Sequence, residues 1–560
     1  MIKMQRARFV LLLFLCFAPC AGARQALANA AIASAHPLAT QAGKAILDQG
    51  GNAFDAAVAV AAALAVVEPY SSGLGGGGFF LLHRARDGKQ VMLDARETAP
   101  LHATADMYLD AAGNPVPNAS LNGARAAGIP GLPAGLVYLA QHYGRLPLTR
   151  SLAPAIWLAQ QGFPADARYR AMAQARLARL QAQPAAAAQY LRRNDVPALG
   201  ARIRQAALAT TLHALARYGA AGFYRGPVAR ELVASVRAGG GIWTRADLTR
   251  YRIKERTPIT FDYRGMHIVS APPPSAGGVT LAQTLNILAR YDLARLDQAQ
   301  RMHLVVEALR RAYHDRAYLG DPDFVRMPLA RLMSRAYADR RAVSIDPNKA
   351  TPSASLDAAP EIPQGDHTTH FSIVDRQGNR VAATLSINTI FGSGFVAGKT
   401  GVLLNNEMDD FAASEQGMNV YGLANSHVNR IAPGKRPLSS MSPTFVDDAR
   451  GTLIIGTPGG SRIISMVLLA ILNYGMQTHV DVRDLVSAPR YHHQYLPDQI
   501  EVEPDAFPSD VLDDLQFKGH VVQINAHPWG NMQAVWIDRA SGKAFAASDP
   551  RGIGSALVWP

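Results

Sequence analysis

The chain has 560 residues, 48% of them hydrophobic and 18% charged, with a formal net charge of +13. That composition excludes a disordered chain and supplies ample core for a large globular fold. Its arginines are spread through expected helical stretches such as Tyr169 to Arg193 and Ala201 to Arg217 rather than forming a basic block with interleaved aromatics, which argues against nucleic-acid binding and for a solvated surface.

In chain order, Met1 to Ala23 reads as a signal peptide: Lys3, Arg6 and Arg8 precede an apolar run from Phe9 to Ala18, and Ala21-Gly22-Ala23 suits signal peptidase. Both cysteines, Cys16 and Cys20, lie inside it, so the expected mature protein has neither thiol nor disulfide and is periplasmic or secreted. Ala56 to Val67 is too short an apolar run to span a bilayer, which takes about 20 residues. It reads as a buried core helix stopped near Pro69. The run Gly73-Leu74-Gly75-Gly76-Gly77-Gly78 is too loose for a dinucleotide fingerprint and suggests close backbone packing near a pocket. Strands are expected at Phe79 to His83 and Gln90 to Ala95, turning at Asp87-Gly88, followed by long alanine-rich helical segments.

Ser344 to His367 carries Pro347, Pro352, Pro360 and Pro363 and has neither a helical nor a strand period. Long structureless connections are uncommon inside compact domains, so this linker invites a functional explanation. A hairpin begins just after it: Thr369 to Asp375 partly alternates, Arg376-Gln377-Gly378-Asn379 is turn chemistry, and Arg380 to Ile387 resumes an extended pattern. Thr368 therefore sits where a self-cutting precursor would expose a new terminal nucleophile. Its hydroxyl is weak alone, but cleavage between His367 and Thr368 would give it an α-amino group, unperturbed pKa roughly 7.7–8.0, as its own base. On these residues alone, the plainer reading of Thr368 and Thr369 is as β-formers opening a strand. Strands recur at Ala534 to Asp538 and Lys543 to Ala547 around Ser541-Gly542.

Several separated segments resolve that choice. They are Leu93-Asp94-Ala95-Arg96-Glu97-Thr98-Ala99-Pro100, Pro272-Pro273-Pro274-Ser275-Ala276-Gly277-Gly278, Gly320-Asp321-Pro322-Asp323, Thr368-Thr369-His370-Phe371-Ser372, Leu404-Asn405-Asn406-Glu407-Met408-Asp409-Asp410-Phe411, Arg436 to Thr444, and Gly456-Thr457-Pro458-Gly459-Gly460-Ser461-Arg462. With them, in this order, the chain resembles the γ-glutamyltranspeptidases (glutathione hydrolases) of the N-terminal-nucleophile hydrolase superfamily. The resemblance implies an α+β fold, a four-layered αββα sandwich. It implies a large subunit, 24–367 with its linker 344–367, and a small subunit, 368–560.

What the resemblance implies for the site can be set beside what the residues suggest alone. Arg96 becomes the clamp for the substrate α-carboxylate, where by itself it could be a surface arginine paired with Glu97. Glu407 and Asp410, with Asn388, become the α-ammonium site, where alone they could be turn residues. Ser439 and Ser440 would bind the carboxylate, where alone they form an ordinary loop. Gly459 and Gly460 would offer backbone amides to a tetrahedral oxyanion rather than a plain tight turn. Ser386 stands where the family usually has threonine and keeps the hydroxyl that could assist Thr368; Glu407 stands where many bacterial relatives have glutamine. Ala412 to Ile431, with Tyr421, resembles a lid loop. His492-His493 lacks a third ligand at useful spacing and reads as packing or hydrogen-bonding histidine, so neither metal nor organic cofactor is expected.

The implied function is an autoprocessing γ-glutamyl hydrolase and transferase. It would cleave glutathione and related γ-glutamyl compounds through a threonine ester and pass the acyl group to water, an amino acid or a peptide, as a heterodimer of its own two products. Two rivals stand beside it. One is a glutaryl-type β-lactam acylase of the same superfamily, which would not need the acids at Glu407 and Asp410; the other is an uncleaved, non-catalytic periplasmic binding protein.

Overall fold

The computed structural model describes residues 26–356, 367–412 and 427–560. The expected signal peptide with Cys16 and Cys20, linker residues 357–366 and Tyr421 lie outside the described residues.

Thirteen strands that matter here form two sheets. From the upstream part come β1 (Ala30–Ser34), β2 (Gly77–Arg84), β3 (Lys89–Asp94), β4 (Lys254–Arg256), β5 (Ile259–Tyr263) and β6 (Met266–Ser270). From Thr368 onward come β7 (Thr369–Val374), β8 (Arg380–Ser386), β9 (Thr444–Asp447), β10 (Gly451–Gly456), β11 (Gln533–Asp538), β12 (Ala544–Ser548) and β13 (Ser555–Trp559). The first sheet runs β13-β1-β7-β8-β2-β3-β4 and the second β12-β11-β10-β9-β6-β5. Both sheets therefore mix strands from either side of the His367–Thr368 bond. The expected hairpin is β7 and β8, paired in antiparallel register with Leu385 opposite Thr369.

Alternation along the first sheet builds two cores. Ile32, Phe80, Leu82, Phe371 and Ile373 face one helical layer, while Ala31, Phe79, Leu81, Val374 and Ala382 face the second sheet and join Phe445, Val446 and Ile454. The first layer contains α1 (Pro37–Asp48) and α2 (Ala53–Val67); the outer layer beyond the second sheet contains α3 (Gly277–Leu288), α4 (Gln298–Asp315) and α5 (Ile463–Met476). The architecture is the expected αββα sandwich.

The apolar helix exists and starts three residues earlier than its apolar run. Asn52 and Asp55 close a capping box at its N-terminus, and every residue of α2 is buried, as suits a helix apolar all round. Two expectations on helices need correcting. Tyr169 to Arg193 is not one helix but three, Ala167–Ala175, Leu177–Gln181 and Pro184–Tyr190. Pro184 cannot donate to a preceding turn and disfavours helical geometry at Gln183, which instead caps the third helix. In Ala201 to Arg217, Arg202–Ile203 pairs as a short strand with Phe163–Pro164, and the helix occupies Ala206–Tyr218.

Candidate active site

Thr368, at the mouth of β7, lines a pocket together with Arg96, Ser386, Asn388, Glu407, Asp410, Ser439, Ser440 and Gly460. Four further residues, Arg316, Leu438, Met441 and Ile463, complete the lining. Gly459 lies on an adjoining cavity that also reaches His367 and Thr368. Residues as far apart in sequence as Arg96 and Ile463 thus converge, and the reasons are local.

The glycine string is where the walls meet. A Cβ on Gly75 would lie 1.9 Å from the Leu403 carbonyl oxygen, one on Gly76 2.2 Å from that of Ser386, and one on Gly77 2.3 Å from that of Ala95. Only residues without Cβ let these three segments, which lead to Glu407, Asn388 and Arg96, close on one another. Asn405 fixes the approach to Glu407: its side chain donates to the Gly75 and Gly128 carbonyls and accepts from the Gly128 and Glu407 amides.

The Ser439–Ser440 segment is cradled by two other motifs. Ser439 N–H donates to the Pro274 carbonyl, its own carbonyl accepts from Ala276 N–H, and Ser275 Oγ donates to the Met441 carbonyl. Buried Asp321 accepts from the backbone N–H of Arg436 at 2.8 Å, while the Arg436 guanidinium sits 3.3 Å from Asp94. The sequence segments that look like recognition motifs on the upstream side are, in this respect, the scaffold of the downstream loop.

Arg96 is not a surface arginine; it is 1% exposed. Its Nη1 contacts Glu407 and its Nη2 Asp410, both at 2.5 Å, with Glu97 at 3.6 Å and the Pro437 carbonyl accepting from Nε. Burial works against its charge, but Glu407, Asp410 and Glu97 together hold its pKa above the ordinary arginine value. The acids respond in the opposite sense. Burial pushes Glu97 up to about 8 against the pull of Arg96, and it pushes Glu407 well above the carboxylate range, with Glu97 and Asp410 adding to the effect. Glu407 Oε1 and Ser440 Oγ are buried with no hydrogen-bond partner among the described residues. An acceptor and a donor are thus left open on one pocket wall.

Around Thr368 itself, Ser386 Oγ does not bond the threonine hydroxyl. It donates to the His367 carbonyl oxygen at 3.4 Å, the carbonyl of the bond expected to break, and accepts from Asn388 N–H at 2.8 Å. Asn388 takes a left-handed φ of 76° there, and its Nδ2 donates to the Asn406 carbonyl, coupling β8 to the acidic segment. Thr369 turns away and donates to buried Glu68 at 2.7 Å. Gly459 and Gly460 have φ of 142° and 55°, the region glycine occupies most readily. Neither amide N–H donates to another backbone carbonyl among the described residues. They precede α5, whose first turn supplies Ile463 to the pocket.

His492 and His493 are buried and hydrogen-bonded, His492 to Ser465 and Gln494 and His493 to Asp498. One potential ligand group not foreseen, His303, Glu307 and His520, lies in the outer layer. Its atoms are already used: His303 bonds His520 and the Asp346 carbonyl, and Glu307 pairs with Arg310 and Arg311. Arg316 is the pocket residue that sequence reasoning missed. Near the end of a helix an arginine looks like an ordinary partner for the helix dipole, so no pattern singled it out.

A family model described as Gamma-glutamyltranspeptidase matches residues 39–559. A glutathione hydrolase proenzyme of Escherichia coli (strain K12) is 43% identical over 531 residues, covering 93% of this chain and 90% of that protein. One from Pseudomonas sp. (strain A14) is 42% identical over 550 residues, covering 95% and 94%. Among solved structures, the cephalosporin acylase from Bacillus halodurans superimposes with a TM-score of 0.83 at 27% identity, over 98% of this chain and all of that one.

Proposed function

The chain belongs to the γ-glutamyltranspeptidase family, and from that premise we propose that it is a γ-glutamyl hydrolase and transferase that matures by cutting itself before Thr368. The observation that carries the proposal is the convergence of Thr368, the Gly460 turn and the Arg96–Glu407–Asp410 cluster on one pocket. A nucleophile at one end and a charged head-group site at the other match a substrate whose scissile amide lies a fixed distance from an amino-acid zwitterion.

In maturation, Thr368 Oγ attacks the His367 carbonyl carbon. Ser386 Oγ–H, which already points at that oxygen, stabilises the developing charge. Collapse breaks the amide C–N bond and leaves an ester on Thr368 Oγ; the freed nitrogen keeps the proton of the hydroxyl. Water then hydrolyses the ester, giving a carboxylate on His367 and a free amine on Thr368. In turnover that amine takes the Thr368 hydroxyl proton as Oγ attacks the γ-carbonyl. Gly459 and Gly460 N–H groups receive the oxyanion, and the leaving amine takes the proton. Water, or the amine of an amino acid or peptide, then attacks the acyl-enzyme and restores Thr368.

Glu407, Asp410 and Asn388 face the α-ammonium in this reading, and Arg96 with Ser439 and Ser440 the α-carboxylate. The signal-like first 23 residues support reading it as a periplasmic or secreted enzyme working on small γ-glutamyl compounds without a cofactor. The test is intact mass and N-terminal sequencing of the purified protein, followed by hydrolysis of γ-glutamyl and glutaryl anilides. A chain beginning at Thr368 and preference for the γ-glutamyl anilide are expected. An uncut chain refutes the nucleophile assignment, and preference for the glutaryl anilide moves the protein to the acylases.

A further inference from the structure

Two guanidinium groups line the pocket, and they differ sharply. Every nitrogen of Arg96 already donates: Nε to the Pro437 carbonyl, Nη1 to Glu407, and Nη2 to Asp410 and the Leu438 carbonyl. Arg316 is almost as deeply placed, 3% exposed, yet it makes no ion pair or side-chain hydrogen bond among the described residues, and its Nε is a buried orphan. It sits just beyond the end of α4, where Tyr313, one turn earlier, is fastened by its hydroxyl to the Ser461 carbonyl next to the glycine turn. The fields it experiences are attraction from Asp410 and repulsion from Arg96, so it flanks the head-group end of the pocket.

A buried cation without a counter-charge is costly: burial foremost, with repulsion from Arg96 and against attraction from Asp410 and Tyr313, lowers the Arg316 pKa to about 10. The nearby acids do not pair with it: Glu407, Asp410 and Glu97 all gather on the Arg96 guanidinium. The pocket therefore presents, on one lining, a guanidinium with no ion pair among the described residues and the unpartnered Ser440 hydroxyl. Such a pair is complementary to a carboxylate.

We propose that Arg316 is a second carboxylate-receiving cation of the donor site, binding the α-carboxylate of the γ-glutamyl group with Ser440 beside Arg96, whose guanidinium is shared with Glu407 and Asp410. This rests on the γ-glutamyl reading above and makes Arg316 a specificity-determining residue. Its cost is borne in stability by the unliganded protein, as is usual where a binding site needs an uncompensated charge.

The test compares wild type, R316Q and R316K on three chromogenic anilides: γ-glutamyl, glutaryl, which lacks the ammonium, and γ-aminobutanoyl, which lacks the carboxylate. R316Q is expected to lower kcat/KM about 10- to 100-fold on the two carboxylate-bearing anilides, the loss of one or two hydrogen bonds to a charged group. On the γ-aminobutanoyl anilide the change should stay within about threefold, and R316K should recover part of the loss by restoring charge without the fork. The R316Q unfolding midpoint should not fall, since an unpaired buried charge is removed. Equal losses on all three anilides, or none, overturn the proposal. Wild type inactive on all three would refute the γ-glutamyl reading itself. Calorimetric binding of L-glutamate against γ-aminobutanoate, to wild type and R316Q, then still decides the role of Arg316: selective loss of glutamate supports it, and parallel behaviour overturns it.

Discussion

Replacing Ser386 by alanine separates the two jobs of its hydroxyl. The first is donation to the His367 carbonyl oxygen, at 3.4 Å, the long end of hydrogen-bond geometry. A well-aimed donor to a tetrahedral oxyanion is worth about 10²–10³ in rate. At this distance in the resting chain the loss should be smaller, and self-cleavage of S386A is expected to slow about 10- to 100-fold. The second job is structural. Asn388 N–H loses its acceptor at 2.8 Å in a buried, left-handed position, and an orphaned buried donor costs about 1–3 kcal/mol. S386A should therefore also unfold at lower denaturant, and once matured bind γ-glutamyl substrates more weakly, because Asn388 ties β8 to the acidic segment. S386T keeps the hydroxyl and should mature at nearly the wild-type rate, its extra methyl stiffening χ1. The assay is the time course of uncut chain in freshly purified precursor, read by denaturing gel and intact mass, with urea unfolding in parallel. Maturation of S386A within about threefold of wild type, a smaller effect than any oxyanion donor would give, refutes the polarising role; a stall of S386T equal to that of S386A would show that side-chain fit, not the hydroxyl, is what matters.

Burial keeps the Glu407 carboxyl toward its protonated form, which resembles an amide, so E407Q should bind γ-glutamyl anilide much like wild type at low pH. As pH rises wild type gains a charge for the ammonium and the variant does not, so the ratio of their KM values should widen with pH; a flat ratio would sink the protonation argument. Gly75→Ala puts a Cβ 1.9 Å from the Leu403 carbonyl, a backbone atom that cannot swing away. It should cost about 1–3 kcal/mol in unfolding free energy and raise KM, and wild-type behaviour in both would refute the role given to the glycine string. Burial lowers the pKa of His370 and His520 to about 3 and that of His492 and His493 to about 4. In the unfolded chain they titrate near 6.5, so below that pH the unfolded state binds more protons and stability falls as pH drops from 6.5 toward 4. Urea midpoints that are level or rising over that interval would contradict the burial of these rings.

Much of the site is legible in the sequence where local chemistry fixes it. The β7–β8 hairpin follows from alternation and the Gln377-Gly378-Asn379 turn, and that places Thr368 at a strand mouth without reference to anything distant. The glycine run signals close backbone approach, but nothing local names Leu403, Ser386 and Ala95 as the three carbonyls it meets. The acids at 407 and 410 are legible as a pair; that their counter-ion is Arg96, over 300 residues upstream, depends on the fold. Tyr169 to Arg193 misleads because its alanines and arginines favour helix at nearly every position; Pro184 marks the second of its two breaks, and nothing in the sequence marks the first, at Arg176. Arg316 is illegible for a different reason: its distinguishing property is a missing partner, and absence of contact has no sequence pattern.

The mixing of strands explains why a site built across a cut can survive the cut. β1 pairs with β7 on one side and β13 on the other, and β2 pairs with β8, so the upstream chain is threaded between downstream strands. In the second sheet β6 from upstream pairs with β9 from downstream. Separating the proposed products would mean opening both sheets and exposing both cores, which is global unfolding rather than dissociation of two docked domains. Cleavage before Thr368, as proposed, would change covalent connectivity without removing the contacts that hold the pocket. What it would add is an amine on Thr368, in a pocket whose Arg96, Glu407 and Asp410 the intact chain has already set in place.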